Sequence, residues 1–201
     1  MKSVKILLKQ TAMFILITTI VCGVIYPLAV TGISQLFFKD KANGSIIEID
    51  GKQYGSKLLG QKFTEDKYLW GRVMYDNTGT YQDEEGNALY YAGPSNLTPA
   101  SEDYRSLITE RVEAMKASNP GMINQKVPVD LVTGSGSGLD PHISVAAAMY
   151  QVDRIAKVRS ISTEQVEDII NQYTTGKLLG VLGEKVVNVL EVNLALDGIM
   201  N

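Results

Sequence analysis

Hydrophobic and polar positions divide this chain at residue 38. From Gln10 to Phe38 there are 29 residues without a charge, and 15 of the 19 residues in Ala12–Val30 are apolar. A 19-residue helix rises about 28 Å, close to the roughly 30 Å hydrocarbon thickness of a bilayer. An apolar surface all the way round suits a helix in lipid or one that is wholly buried. Thr11, Thr18 and Thr19 do not disqualify the span, because their hydroxyls can bond back to helix carbonyls. Pro27 predicts a kink in its outer third, and a neighbouring helix can re-satisfy the carbonyl that proline frees.

Beyond residue 38 the apolar runs shorten and change period. Ser45–Ile49, Asp50-Gly51 and Gln53–Leu59 read as a hairpin, since Asp-Gly suits a two-residue turn with positive φ. Tyr68–Tyr75 predicts another strand. Residues 76–89 are polar, with turn residues at Asn77, Gly79 and Gly86, and read as an exposed loop. Thr98-Pro99 predicts a helix start with an apolar stripe of Leu107, Ile108, Val112 and Met115. Asn119-Pro120-Gly121 ends it. Val127–Thr133 predicts a short apolar strand, and Gly134–His142 a glycine- and serine-rich loop. Val145, Ala148, Met149, Val152, Ile155 and Ala156 fall on one helical face. Ser162 through Gln165 fits a capping box, opening a helix with Val166, Ile169 and Ile170. Val186–Leu196 predicts a closing apolar strand. Helices and strands mix without a strict βαβ period or an internal repeat. The predicted class is therefore an α+β domain preceded by a single N-terminal transmembrane helix.

Charge adds an orientation. Lys2, Lys5 and Lys9 give residues 1–38 a charge of +3, whereas residues 39–201 carry −6 within a total of −3. The positive-inside rule then predicts residues 1–9 as a basic cytoplasmic N-terminus and residues 10–36 as the span. Residues 39–201 follow as an extracytoplasmic domain of a single-pass cell-membrane protein. A cleaved signal peptide would have a shorter apolar region ending in a small-x-small site, and no clean site precedes Lys39. Cys22 is the only cysteine. Val21 before it and the apolar sequence after it argue against a lipoprotein. The body thus lacks a disulfide and a thiolate metal cage. At 163 residues it suits one compact domain, burying roughly 70% of its unfolded surface. Its acidity excludes nucleic acid as a partner.

Few constellations carry chemistry. Asp76-Asn77-Thr78-Gly79-Thr80 differs at one position from the D-K-T-G-T phosphorylation sequence of P-type ATPases. Asn77 removes the lysine that manages phosphate charge, and the topology sets Asp76 on the side without ATP. Gly134-Ser135-Gly136-Ser137-Gly138 precedes a helix and could present backbone N–H groups to an anion. It matches no phosphate-loop, dinucleotide or nucleophile-elbow pattern. A tight strand-to-helix connection and a partner-docking loop both fit it. His142, the only histidine, lies near Asp130, Asp140, Ser135 and Ser137, but spacing alone does not make a triad. A lone histidine without a cysteine partner makes no zinc site. Asp83-Glu84-Glu85 reads as a solvated run, and Tyr81 stands where a calcium loop needs glycine. Tyr68, Trp70, Tyr75, Tyr81, Tyr90 and Tyr91 suit sheet packing or a protein-binding face. No catalytic or metal-ligating residue is assigned.

A family resemblance covers nearly the whole chain. Tyr26-Pro27-Leu28, Ala42-Asn43-Gly44-Ser45 and Gly55 through Gln61 open the match. Pro128 through Thr133, continuing as Ser135-Gly136-Ser137-Gly138-Leu139-Asp140-Pro141-His142-Ile143-Ser144, is its most specific run. Tyr150-Gln151-Val152, Arg154, Arg159, Leu182-Gly183-Glu184, Val187 through Leu190 and Asn193 through Asp197 complete it. These residues resemble the C subunit of the bacterial potassium-transporting Kdp ATPase, the KdpC family. Residues 72–94 depart from the family's usual text. The resemblance implies a non-catalytic accessory subunit of a high-affinity, ATP-driven potassium uptake complex. The implied partners are a potassium-conducting channel-like subunit, a P-type ATP-hydrolysing subunit, a small single-helix subunit and the lipid bilayer. The family is also described as a catalytic chaperone that raises the ATP affinity of the hydrolysing subunit. No ATP site is assigned, and the topology separates the body from cytosolic ATP. The docking loop is expected at Gly134, Ser135, Gly136, Ser137, Gly138, Asp140 and His142, with Gly138 allowing close approach. The alternatives are a membrane-anchored extracytoplasmic hydrolase using Ser137 and His142, and a stand-alone sensor or adhesin.

Overall fold

The computed structural model describes residues 2–75, 82–83, 85–87 and 92–200. The chain divides into two compact units, Met1–Ile46 and Ile47–Asn201. The predicted Asp76–Thr80 string and the rings of Tyr81, Tyr90 and Tyr91 lie outside the described residues.

The first unit is helical: α1 (Lys2–Ile20), a π-helical turn (Val21–Ile25), α2 (Tyr26–Phe37) and the short α3 (Lys39–Ala42). Pro27 accounts for the turn. In a regular helix its ring would crowd the Gly23 carbonyl and leave it without a donor. The wider turn sits just before it, and the Tyr26 N–H reaches back five residues to the Val21 carbonyl. A π turn thus stands just before Pro27, where a kink is predicted. Ser3–Phe37 is one 35-residue run long and apolar enough to cross a membrane. Its large side chains stand exposed, Phe14 at 71% and Leu28 at 68%, a surface that requires an apolar surrounding.

The second unit is α+β, as its pattern predicts. A hairpin pairs β1 (Ile46–Ile49) with β2 (Lys52–Ser56). Its turn residues Asp50 and Gly51 have φ of 52° and 75°, the geometry that Asp-Gly favours. Next come α4 (Glu102–Ser118), β3 (His142–Ser144), α5 (Val145–Met149), α6 (Val152–Arg159) and α7 (Thr163–Gln172). The chain closes with β4 (Thr174–Thr175), β5 (Val186–Asn188) and α8 (Val189–Leu196). Strand β5 runs between β3 and β4, antiparallel to both, with Ile143 opposite Val187. The core joins Ile143 and Val187 of this sheet to Ala147, Ala148, Ile155, Val166, Ile170 and Val192 of the helices. The capping box at Ser162 and Gln165 forms as predicted.

Four expectations change. Helix α4 starts at Ser101, whose hydroxyl accepts from the Tyr104 N–H; Thr98 and Pro99 form the turn before it. Residues 127–133 contain a 3-10 turn at Val129–Leu131 instead of a strand. Pro128 lacks the donor that a strand ladder needs, and its carbonyl accepts from Leu131. The run 186–196 is a strand only through Asn188. There the side chain caps α8 by accepting from the Glu191 N–H, which turns the chain into a helix. The predicted helix over 145–156 breaks at Tyr150-Gln151 into α5 and α6.

A fifth change matters most. Residues 68–72 form no strand, contrary to the prediction for Tyr68–Tyr75; the isolated bridge from Val73 to Gly134 comes later. Side chains take the place of a neighbouring strand. Asn193 accepts from the Leu69 N–H at 2.8 Å and donates to the Leu69 carbonyl at 2.9 Å. Gln151 does the same for Trp70, at 2.9 and 3.0 Å. Arg154 donates to the carbonyls of Asp66 and Tyr68, and Arg159 to that of Lys67 at 2.7 Å. Five consecutive residues are thereby held by four polar side chains from α6, α8 and the junction before α6. Arg154 is 6% exposed, lies 4.2 Å from the Trp70 ring and also donates to Asn119 and Gln151. Burial lowers its pKa to about 10, so it remains a cation at neutral pH.

Asn193→Leu leaves both backbone groups of Leu69 unpaired in the interior. It should lower stability by about 2–4 kcal/mol. Urea denaturation of the detergent-solubilised chain, followed through Trp70, the only tryptophan, measures this. An unchanged midpoint would show that the amide does not hold the segment.

Candidate partner-docking site

The glycine- and serine-rich loop is organised by Arg72, two residues beyond the Trp70 peg. Its Nη1 lies 3.6 Å from Asp130 Oδ1 and 3.6 Å from Asp140 Oδ2, and its Nη2 donates to the Gly134 carbonyl at 3.3 Å. One guanidinium thus ties the residue before the loop, its first glycine and its last acid. Its Nε is buried without a partner among the described residues. The other oxygen of Asp130 accepts from the Ser144 N–H at 2.9 Å, joining the loop's approach to the start of α5.

Within the loop the polar groups turn mostly on one another. Ser135 and Ser137 hydroxyls lie 3.2 Å apart, and Ser137 accepts from the Leu139 N–H at 3.3 Å. The Leu139 carbonyl accepts from Gly60 at 2.8 Å, anchoring the loop to the segment after β2. Gly134 is glycine for a packing reason, because a Cβ there would lie 2.4 Å from the Tyr75 ring. Gly138 is buried with φ +75°, a conformation that L residues resist. Gly136 and Ser137 are exposed at the crest, whereas Ser135 is buried.

His142 opens β3 at the loop's end. Asp140 Oδ1 accepts its backbone N–H at 2.9 Å and lies 3.6 Å from its Nδ1. Its Nε2 lies 3.5 Å from Asn188 Nδ2, which also donates to the Lys57 carbonyl. Among the described residues no hydrogen bond joins Ser137 to His142, so the Ser/His pair of a hydrolase is not assembled. Nor does the loop suit a nucleotide triphosphate. Arg72 is already committed to two carboxylates, and Asp130 and Asp140 would repel an anion. The arrangement is a braced, glycine-crested loop whose surface can approach another protein closely.

The expected acidic and aromatic features resolve differently. Asp83 folds back on its own turn, accepting from the N–H groups of Glu85 and Asn87, and the Asn87 bonds lower its pKa. The described aromatics pack against arginines more than against the sheet: Tyr68 with Arg159, Trp70 with Arg154, Tyr75 with Arg111. Arg72, Gln151, Arg154, Arg159 and Asn193 received no individual role in the sequence reading. For Gln151 and Asn193 the signal is polarity within an apolar run, where a buried polar group needs a partner; the three arginines carry no such local signal.

Comparison with known proteins now bears on this geometry. The family model described as the c chain of a K+-transporting ATPase, KdpC, matches residues 8–198. The chain belongs to the KdpC family. The Clostridium perfringens protein named potassium-transporting ATPase KdpC subunit is 58% identical over 194 residues, covering 96% of this chain and 98% of that one. The protein of the same name from Clostridium botulinum strain Alaska E43 is 56% identical over 200 residues and the full length of both. That from Clostridioides difficile is 41% identical over 202 residues, covering 96% and 97%. Family membership makes this chain a subunit of a potassium-transporting ATPase. The match spans the apolar helix, the Arg72 cluster, the loop and the helices that peg residues 66–70.

Arg72→Met removes the cation that both carboxylates face and should cost about 1–3 kcal/mol. Hydrogen exchange should rise across residues 134–140, with Arg72→Lys restoring part of the protection. Equal exchange in Arg72→Met and the parent would show that the loop is held without it.

Proposed function

We propose that this chain is a non-catalytic, single-pass accessory subunit of an ATP-driven potassium uptake complex. Its N-terminus lies in the cytoplasm and its α+β body outside. The body stabilises the assembly and covers the external potassium entrance. The observation that carries this reading is the KdpC family match across residues 8–198, together with the exposed apolar run Ser3–Phe37. Lys2, Lys5 and Lys9, all before the uncharged stretch that begins at Gln10, support the orientation. The implied companions are the potassium-conducting channel-like subunit, the P-type hydrolysing subunit and the small single-helix subunit. Any effect on the ATP affinity of the hydrolysing subunit is then indirect, transmitted through the assembly, because the body and ATP lie on opposite sides of the membrane. The acidic surface raises local potassium only modestly, since salt near 0.15 M screens charges beyond about 8 Å.

The loop of Gly134, Ser135, Gly136, Ser137, Gly138, Asp140 and His142 docks on the potassium-conducting subunit. Gly138 tests this poorly: buried and at positive φ, a valine there strains the fold itself. Gly136 is the better probe. It is exposed, and a Cβ there meets nothing within 4 Å. Gly136→Val should leave the chain's denaturation midpoint unchanged and reduce the yield of complex co-purified through a tag on this chain at least several-fold. Normal assembly and potassium uptake by Gly136→Val would remove the docking role. Failure of any P-type ATPase to co-purify with the parent chain would overturn the subunit reading and favour a stand-alone protein.

Orientation has its own test. Protease added outside intact spheroplasts should digest residues 39–201 and spare the first nine. Protection of the body in that assay would reverse the topology.

A further inference from the structure

Strands β4 and β5 pair with Thr175 opposite Val186, so residues 176–185 form the tip of a hairpin. Its crest carries Leu178, Leu179, Val181 and Leu182, which are 66, 85, 74 and 58% exposed. Four large aliphatic side chains on one solvent-facing turn are costly for a water-soluble surface. The tip is nevertheless well formed. Leu178 and Leu182 exchange backbone hydrogen bonds at 2.8 and 3.0 Å, and Gly180 and Val181 donate to the carbonyls of Lys177 and Leu178. Lys177 bridges Glu184 across the base at 3.1 Å, and Lys185 adjoins it. Leu179 holds φ +53°, an uncommon conformation for leucine, which carries the most exposed of the four side chains outward.

We infer that this tip inserts its four aliphatic side chains into the headgroup–acyl boundary of a phospholipid bilayer. The inference rests on the membrane-anchored reading above and adds a second membrane contact to it. Three features favour lipid over a protein partner. The tip is a convex crest of leucine and valine without the tryptophan, tyrosine or arginine that dominate protein hot spots. Four N–H groups of the turn, those of Leu178, Gly180, Val181 and Leu182, are satisfied within it, so entry into an apolar layer bares fewer polar groups. Two lysines and one glutamate at the base leave one net positive charge at the height of the lipid phosphates. The apolar helix at the other end of the chain keeps the body at a bilayer surface, so a weak insertion acts at high effective concentration. Lipid contact at the tip would limit rotation of the body about its single anchor.

The test uses the full chain with Cys22→Ala, carrying a single environment-sensitive fluorophore at Leu179→Cys or at Met13→Cys. Both are reconstituted into vesicles of phosphatidylcholine and phosphatidylglycerol containing a fraction of spin-labelled lipid. The label at 179 should be blue-shifted, lose most of its emission to the lipid-borne quencher and resist aqueous iodide. Val181→Asp should abolish that quenching while leaving the denaturation midpoint unchanged. Quenching at 13 but not at 179 overturns the tip contact and leaves the anchor intact; no quenching at either overturns the anchor reading itself. A label at 179 shielded from both quenchers only in the purified complex would mean a protein partner, and also overturns the proposal.

Discussion

A buried segment without a neighbouring strand has no ladder for its backbone, and here amide side chains supply one. Gln151 and Asn193 each present a donor and an acceptor in one plane, matching the N–H and C=O of a single residue. Arg154 and Arg159 complete the set on the preceding carbonyls. Leu69 can therefore sit fully buried between helices with both polar groups paired. Without these pegs, the interior would contain bare peptide groups that water could not reach.

The same constraint positions the candidate site. Trp70 is fixed by Gln151, and Arg72 follows two residues later with little freedom to move. Its guanidinium then meets Asp130 and Asp140 from opposite ends of the loop. Asp130 reaches on to Ser144, and Asp140 to His142, so the loop's brace continues into β3 and α5. The glycine crest is consequently carried on a frame braced to the core. For a docking surface that is an advantage, since little conformational entropy remains to be lost on association.

The sequence revealed the elements whose cause is local. Asp50-Gly51 announced its turn, Ser162 and Gln165 their capping box, and Pro27 a distortion of the apolar helix. The buried face from Val145 to Ala156 followed from spacing alone. Where the structure departs from the pattern, a polar residue sits inside an apolar run. Asn188 capped a helix within what looked like one strand, and Asn193 and Gln151 proved to be backbone partners. Residues 68–75 read as a strand, and the structure assigns none there. Periodicity reports which way side chains face and says nothing of what satisfies the peptide groups between them. Within the candidate site, the loop was visible from its glycines and serines. Arg72 was not, because its partners lie 58 and 68 positions away and no local pattern connects them.

The pegs have a consequence for the order in which this molecule can be made. Gln151 and Asn193 lie 81 and 124 residues after the segment they hold. A ribosome delivers the chain from its N-terminus, so Tyr68 and Trp70 wait for Arg154 and Gln151, and Leu69 waits longer still, for Asn193 of α8. The N-terminal half of the body has no early folded state that includes this segment. A nascent chain of this kind stays threadable while it is being synthesised, and both polar groups of Leu69 are paired only when α8 arrives. Loss of Asn193 would then leave a buried residue more than a hundred positions upstream without its backbone partners.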